Sequence, residues 1–321
     1  MINLLRAEVL RLLSSGALRG FGLLALVLVC WPAITTVEGA EPVSEADWVQ
    51  ARVSYESVVE QQQFELEMAQ EQCGDGDEDS CQIVADMQAQ PPLTVEEFLR
   101  VPTDFTSVVD RTIRVMGVLS QLLVFAFLSQ HVGSQFSTGE VGTQLTFTPN
   151  RRQVMWAKII VATVAAAAMT ALWFVLGLTM DVLAYSWVRG PEGVVGHIGM
   201  GAVVGRYLLS TLLAAALAAT LALLFASPWR GPVFMFFVFA GTQLLPLSVR
   251  SGPVLSAIVP LPYVEALVEG EYIEFMEFSS DGPSVPVLEL TFWHGLAYCL
   301  IVLALLIAIT SFRFSRRDIL K

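Results

Sequence analysis

Six long apolar stretches constrain this chain more than any other feature of its sequence. Most of them approach or exceed the ~20 residues that an α-helix needs to cross a lipid bilayer. A water-soluble domain does not carry so many uncharged stretches, so the sequence predicts an all-α integral membrane protein with six transmembrane helices. The six stretches are Leu18–Val37, Val115–Gln130, Ile159–Leu183, Val203–Ala226, Val233–Leu247 and Phe292–Phe312.

These stretches divide the chain into membrane helices and connecting segments. The predicted membrane helices occupy residues 18–37, 111–131, 157–185, 200–226, 232–249 and 291–312. The connecting segments are an interfacial helix at 1–17, an extracellular helical domain at 38–110, a cytoplasmic loop at 132–156, an extracellular and re-entrant segment at 250–290, and a cytoplasmic tail at 313–321. The segment 250–290 is expected to be re-entrant because prolines interrupt its apolar half, which needs protein around it if it enters the bilayer.

The charges around the predicted helices orient the chain. The sequence has 18 Lys and Arg against 30 Asp and Glu, a net charge of −12. With the N-terminus inside and six crossings, the inner segments are basic and the outer segments are acidic. The positive-inside rule therefore predicts that both termini are cytoplasmic. Because no basic domain is available to neutralise phosphates, nucleic-acid binding is not expected.

The residue usage and the N-terminus indicate the compartment. Arg greatly outnumbers Lys, and Ala, Val and Leu dominate, which suits a bacterium with a GC-rich genome and predicts a bacterial plasma membrane. The first apolar stretch is long and lacks a cleavage site, so it is expected to remain as a membrane helix. Residues 1–17 are predicted to form an amphipathic helix on the inner membrane surface, or else a plain extension of the first crossing. The apolar face of that helix would carry Leu5, Val9, Leu12 and Leu13.

The extracellular domain is predicted to be helical and to contain a disulfide. Residues 44–72 contain no Gly or Pro and show helical periodicity, which predicts one long helix. A tight acidic loop follows between Cys73 and Cys81, and then a second, shorter helix. Outside a cell these two cysteines are expected to form a disulfide; the alternative is two free thiols.

The acidic loop has the spacing of one calcium-binding motif. Four aspartates occupy positions one, three, five and twelve of an EF-hand numbering. However, Ser80 stands where that motif has Gly, and the last position is Asp instead of Glu. We therefore expect a solvated acidic tip, with a calcium site as the alternative. The four aspartates are Asp75, Asp77, Asp79 and Asp86.

The chain lacks the motifs of the common catalytic sites. A P-loop needs Gly-Lys-Ser or Gly-Lys-Thr, and neither Lys158 nor Lys321 lies in that context. HExxH and GxSxG are also absent from the sequence. We therefore expect a protein that is not an enzyme and that holds no cofactor or metal of its own.

Polar residues within the predicted crossings are the candidates for internal contacts. Asp181 and Arg206 fall near the outer ends of the third and fourth crossings, and intramembrane charges usually pair, so a structural ion pair is expected and a substrate contact is the alternative. The second and fifth crossings are rich in Phe, which would suit an amphipathic or lipid-like substrate if these residues are not simply facing lipid or packing. The candidates for substrate contact are Gln121, Phe125, Phe236, Thr242 and Gln243.

Several segments together resemble the permease subunits of ABC transporters of the type-2 export superfamily. The resemblance covers the whole chain and includes its six crossings and the broken outer segment after the fifth. No single one of these motifs is as specific as a P-loop. The motifs that carry it are Leu5–Leu13 at the start, Glu140-Val-Gly-Thr143, Thr148-Pro-Asn-Arg-Arg152 and Ala157-Lys158 in the cytoplasmic loop, and Phe314-Ser-Arg-Arg-Asp318 at the end.

This resemblance implies a function and its partners. Such permeases dimerise, here as a homodimer or with a similar permease, and associate with two copies of a separate ATP-binding cassette subunit that holds ATP and Mg. The cytoplasmic loop 132–156 would contain a coupling helix, and the second and fifth crossings would line a path through which substrate is pushed outward. Two alternatives remain open: a membrane sensor or assembly protein with a ligand-binding extracellular domain, and a secondary transporter. The residues implied in coupling are Glu140, Gly142, Thr143, Arg151 and Arg152.

Overall fold

The computed structural model of the chain describes residues 2–74, 78–89, 91–194, 200–238, 259–276 and 285–316. The described part is mostly helical, as predicted. Five of its helices are long and apolar enough to cross a membrane, so the chain is a helical membrane protein. Residues 239–249 of the predicted fifth crossing lie outside the described residues. The five spans are Leu18–Ala40, Phe105–Ser137, Arg151–Arg189, Met200–Phe225 and Phe292–Arg316.

The described elements are numbered in chain order. The helices are α1 Ile2–Ser14, α2 Gly16–Ala40, α3 Glu45–Gly74, α4 Glu78–Ala89, α5 Phe105–Ser137, α6 Glu140–Phe147, α7 Arg151–Arg189, α8 Met200–Phe225, α9 at 230–238, α10 Pro260–Glu269 and α11 Phe292–Arg316. Two 3₁₀ turns, Val95–Phe98 and Pro191–Gly193, and two strands, β1 Glu271–Met276 and β2 Val285–Thr291, complete the described set.

Polar side chains fix where several of these helices begin. Ser15 precedes α2 and accepts a hydrogen bond from the backbone N of Leu18 at 3.3 Å. Asn150 precedes α7 and accepts one from the backbone N of Gln153 at 3.3 Å. Each cap satisfies a backbone donor that has no partner within its helix, so the chain turns into a membrane helix at a defined residue.

Backbone contacts define two ends of the helix bundle. At one end, which we call the distal end, the backbone N of Thr103 donates to the carbonyl of Gly39 at 2.9 Å, and Arg189 Nε donates to the carbonyl of Ala40 at 2.6 Å. At the other, proximal end, Arg151 at the start of α7 donates to the last turns of α11. Helices α2 and α7 therefore run from proximal to distal, and α5, α8 and α11 run back.

The core of the bundle consists of two clusters, one toward each end. Helices α5 and α8 pack closely along their length, and α7 packs against both α8 and α2. The proximal cluster is centred on residues of α5, α7 and α8, such as Phe127, Met155 and Ala219, and also includes Leu12 of α1 and Phe314 of α11. The distal cluster joins α2, α5, α7, α8 and α10. The proximal helices α1 and α6 are therefore part of the same packed unit as the membrane spans.

Helices α3 and α4 form a hairpin at the distal end, in agreement with the two helices predicted there. A disulfide joins Cys73 to Cys81, as predicted, and closes this hairpin. Tyr55 packs edge-on against Phe98 of the first 3₁₀ turn, with ring centroids 5.9 Å apart. Asp47 at the start of α3 accepts hydrogen bonds of 2.8 Å from the backbone N and Oγ of Ser44, and these bonds hold the pKa of its carboxyl below the usual range.

The segment after α10 departs from the all-helical prediction. Strands β1 and β2 pair antiparallel, with Glu271 opposite Thr291, and form a two-stranded sheet between α10 and α11. The prediction of an all-α chain is therefore wrong in this segment. Alternating apolar residues such as Ile273 and Phe275 carry a strand pattern, whereas the prediction for 250–290 rests on the prolines that interrupt its apolar half.

Candidate functional site

A buried polar cluster lies at the proximal end, where α1, α5, α6 and α7 meet. Glu8 of α1 and Lys158 of α7 are each 2 % exposed, although both carry a formal charge. Lys158 Nζ lies 3.0 Å from Glu8 Oε1. We call this group the Glu8–Lys158 cluster; its other members are Gln135 of α5 and Gln144 of α6.

Glu8 is the acceptor at the centre of this cluster. Besides Lys158, its Oε1 accepts a hydrogen bond of 2.7 Å from Gln144 Nε2. It also accepts one of 3.0 Å from Arg11 Nη1, one turn further along α1. A single carboxylate oxygen thus ties helix α1 to α6 and to the membrane span α7.

Lys158 extends the cluster into α5. Its Nζ donates a second hydrogen bond to Gln135 Oε1. The amide nitrogen of Gln135 lies 3.2 Å from His131 Nε2. Because an amide nitrogen only donates, Nε2 of His131 accepts this bond. The chain of contacts therefore runs from α6 through α1 and α7 to two turns of α5.

Burial makes this cluster a strong mechanical link. A buried ion pair that loses one partner leaves an uncompensated charge in a medium of low polarity, which costs about 3–5 kcal/mol. Moving α1 away from α7 would break the ion pair and incur this cost, and moving α6 away would break the hydrogen bond between Gln144 and Glu8. These helices are therefore expected to move together with the proximal end of α7.

Helix α6 presents one face to this cluster and the other to the surface. Gly139 precedes it in the left-handed region, with φ of 75°, a conformation that favours Gly. Val141 and Gln144 are buried, whereas Glu140 lies exposed in the first turn and Phe147 is 83 % exposed. A short helix that is fixed on one side and carries a bare aromatic ring on the other is suited to contact a partner.

The other residues implied in coupling lie around α6 and the start of α7. Gly142 is half-buried within α6, and the hydroxyl of the exposed Thr143 donates to the carbonyl of Gly139 at 3.3 Å. Arg151 donates to the carbonyls of Phe314 and Ser315 of α11, at 3.4 Å each. Arg152 is exposed. The structure thus gives Arg151 an internal contact, whereas Arg152 faces outward.

Sequence reasoning placed α1 correctly as a helix, but the buried face overlaps the predicted one only in part, at Leu5 and Leu12. Val9 and Leu13 are exposed, and the buried positions are Glu8 and Leu12. The sequence contains a signal for this face. Glu8 lies three residues after Leu5 and four before Leu12, so the three side chains share one side of the helix. A charged residue on the apolar side of an amphipathic helix indicates a buried partner, here Lys158.

Asp181 and Arg206 do not form the predicted ion pair. Asp181 is fully buried, and its Oδ1 accepts a hydrogen bond of 2.9 Å from Thr36 Oγ1 of α2. Arg206 donates instead to the backbone carbonyl of Glu269 in α10. Over the described ranges, no basic side chain lies within ion-pair distance of Asp181. The prediction was wrong because α10 packs beside Arg206 and offers the guanidinium a backbone carbonyl as its acceptor.

The predicted substrate contacts lie in different surroundings. Gln121 of α5 has a buried amide nitrogen without a hydrogen-bond partner in the described part of the chain. Phe125 packs against the proximal cluster, and Phe236 of α9 is exposed. Thr242 and Gln243 lie outside the described residues. The three described candidates thus lie in three different surroundings.

The calcium alternative falls largely outside the described part. Asp75 and Asp77 lie outside the described residues, as does the side chain of Asp79, and Asp86 lies within α4. Among the described residues, no group of three or more His, Cys, Asp or Glu is arranged to hold a metal ion. The predicted solvated tip stays a prediction.

Comparison with known proteins identifies a family for most of the chain. A family described as "Protein of unknown function (DUF2705)" matches residues 99–320. This range begins before α5 and includes α6, α7 and all later elements. No curated protein and no solved structure matches the chain.

Proposed function

The chain belongs to the DUF2705 family, and we propose that it is the membrane-spanning permease subunit of an ATP-driven exporter. In this proposal the chain has no catalytic residues, and ATP and Mg bind to a separate ATP-binding cassette subunit, present in two copies. The permease pairs with a second copy or with a similar permease. It lies in a bacterial plasma membrane with both termini in the cytoplasm, so that the proximal end is the cytoplasmic end.

One observation carries this proposal: α6 is bound to the membrane spans on one side and bare on the other. Gln144 joins α6 to Glu8, which also holds Lys158 of α7. On the opposite side, Glu140 and Phe147 are exposed. The resemblance to type-2 permeases implies a coupling helix in this loop, and a helix of this construction can pass a partner's motion to the spans.

The proposed mechanism follows from the connections of the Glu8–Lys158 cluster. When two ATPases close around ATP, each would push on the exposed face of α6. The cluster would carry this displacement to α1, α5 and α7, since separating its members costs several kcal/mol. A tilt of α5 and α7 would then narrow a central path and drive substrate toward the distal end. Glu140, at the positively polarised start of α6, would anchor the contact with the ATPase.

The transported substrate is proposed to be amphipathic or lipid-like. The fifth crossing of this proposal includes α9 and covers the predicted apolar stretch 232–249. This crossing and α5 would line the path, with Gln121 and Phe236 among the contacts. The buried amide nitrogen of Gln121 has no hydrogen-bond partner within the described part of the chain. A buried donor without a partner is suited to donate a hydrogen bond to a polar atom of a substrate or of a second subunit.

The first experiment is affinity purification of the full chain from its native membrane in mild detergent. We expect an ATPase subunit with a P-loop to co-purify in equal amount, together with vanadate-sensitive ATP hydrolysis. Purification of the chain alone, without hydrolysis, would contradict the proposal. That outcome would favour a sensor or a secondary transporter, for which the chain needs no ATPase.

A pair of variants tests the role of α6 in the same preparation. Phe147→Ala removes the exposed ring and should reduce the amount of co-purified ATPase several-fold, because interface aromatics carry much of the binding energy. Trp187→Ala removes an exposed ring at the distal end and serves as the matched control. Equal ATPase recovery with both variants would remove α6 from the proposed interface.

A further inference from the structure

The long helix α3 has an apolar face that no described residue covers. Its opposite face packs against α4 and the first 3₁₀ turn, and Ala51 and Ala69 are buried there. Four large apolar side chains on the outward face remain 48–63 % exposed. We call them the α3 stripe: Val49, Val53, Phe64 and Met68.

The spacing of these residues places them along one side of α3. Val49 and Val53 are four residues apart, as are Phe64 and Met68, and the two pairs are separated by eleven residues, which is close to three helical turns. The α3 stripe therefore extends over about 28 Å at 1.5 Å per residue. Between the two pairs the same side of α3 carries Ser57 and Glu60, so the stripe offers a second helix two apolar contacts, one from each pair.

A row of glutamates runs along one edge of the stripe. Its members are exposed and lie within about 60° of the stripe around the helix axis, at 100° per residue. They are Glu56, Glu60, Glu67 and Glu71. The segment from Glu41 to Asp104 contains sixteen Asp and Glu, two Arg and no Lys, a net charge of −14.

The negative charge of this segment indicates which class of partner can bind the stripe. A second copy of α3 would bring two glutamate rows together, and like charges at this density repel. An anionic lipid surface is disfavoured for the same reason. A basic amphipathic helix would satisfy both features, since its apolar side would cover the stripe and its Lys and Arg would face the glutamates.

We propose that the α3 stripe and its glutamate row form a docking surface for a cationic amphipathic peptide. The surface lies on a hairpin that is closed by the Cys73–Cys81 disulfide and is thus held in shape before binding. The acidic field attracts the peptide, and the apolar stripe retains it. This inference does not depend on transport or on an ATPase.

The test uses the full chain in nanodiscs of neutral phosphatidylcholine and a fluorescent amphipathic peptide of Leu and Lys. We expect saturable binding by fluorescence anisotropy that exceeds binding to empty nanodiscs and weakens as NaCl is raised. A peptide of identical composition with scrambled order should bind more weakly, because it has no apolar face. Equal binding to empty nanodiscs would show that the lipid is the binding partner and would overturn the proposal.

Variants separate the two parts of the surface. Phe64→Ser with Met68→Ser should weaken binding about tenfold or more, because two side chains lose apolar burial. Replacing the four glutamates by Gln should weaken binding and remove most of its salt dependence. Glu65→Gln, on another side of α3, and Val101→Ser, in the loop after the 3₁₀ turn, are the charge and apolar controls.

Two outcomes of these variants contradict the proposal. If the stripe variant binds the peptide as the unmodified chain does, the stripe is not the docking surface. If Phe64→Cys forms a disulfide-linked dimer in nanodiscs at a yield that Val101→Cys does not approach, the stripe is an interface between copies. All substituted residues are exposed, so the variants are expected to fold normally. A thermal unfolding temperature equal to that of the unmodified chain checks this.

Discussion

Glu8 and Lys158 form a buried ion pair although they lie 150 positions apart in the sequence. The pair joins helix α1 to the membrane span α7 at the point where α6 packs. Its distance of 3.0 Å and near-complete burial mean that each charge depends on the other for its compensation.

Replacing Glu8 should destabilise the chain strongly. Glu8→Gln keeps the shape of the side chain but leaves the charge of Lys158 buried without a counter-charge, and the expected loss is about 3–5 kcal/mol. Thermal unfolding in detergent measures this loss. Arg11→Ala, which removes the partially exposed partner of Glu8, is the control and should cost less than about 1 kcal/mol.

A double substitution distinguishes charge pairing from simple packing. Glu8→Met with Lys158→Met removes both charges and keeps apolar volume, so it should be less destabilising than either Glu8→Met or Lys158→Met alone. Additive losses in the double variant would mean that the two residues do not act as a pair.

Asp104 should give the distal start of α5 a dependence on acid pH. Hydrogen bonds from the hydroxyls of Ser107 and Thr106 lower the pKa of its carboxyl to about 2. Because this pKa is below the usual 3.8, the stabilisation is complete above about pH 4 and is lost as the pH falls toward about 2.

The measurement for Asp104 is thermal unfolding against pH in parallel with Asp104→Asn, whose amide oxygen can still cap α5. The native chain should lose stability relative to this variant between about pH 4 and pH 2. Parallel curves over that range would show that the cap does not titrate with folding.

The Cys73–Cys81 disulfide should be detectable by thiol counting. The structure leaves two free cysteines, Cys30 and Cys299, so the denatured, unreduced chain should react with two maleimides and Cys73→Ser with three. From the separation of 8 residues, loss of the bridge should destabilise the hairpin by about 2–3 kcal/mol. Limited proteolysis within 75–79 would report this loss, and Cys30→Ser should leave the cleavage rate unchanged.

Gly133 should tolerate no side chain. A Cβ at this position of α5 would lie 2.5 Å from Cα of Pro228, in the turn between α8 and α9. Gly133→Ala should therefore destabilise the chain by about 1–3 kcal/mol through overpacking. Gly205→Ala of α8 meets nothing within 4 Å and should be neutral or slightly stabilising in the same unfolding assay, because Ala favours helices more than Gly does.

The failures of sequence reasoning share a cause. The Asp181–Arg206 pair was inferred from the ends of adjacent helices, but the partners are Thr36 and the carbonyl of Glu269. Which of several nearby groups a side chain meets depends on the rotation of each helix about its axis, and a hydrophobic stretch that is apolar all round does not fix that rotation.

The sequence by itself determined five of the membrane spans, the helix α3 and the pairing of Cys73 with Cys81. Each of these depends on residues close together in the chain, through apolar length, helical periodicity or a short loop. Only the tertiary structure decided that Glu8 lies inward against Lys158 and that α6 is fastened by Gln144. These contacts join segments that are distant in the sequence. They form because the packing of α1, α5, α6 and α7 brings the buried charges of Glu8 and Lys158 within ion-pair distance.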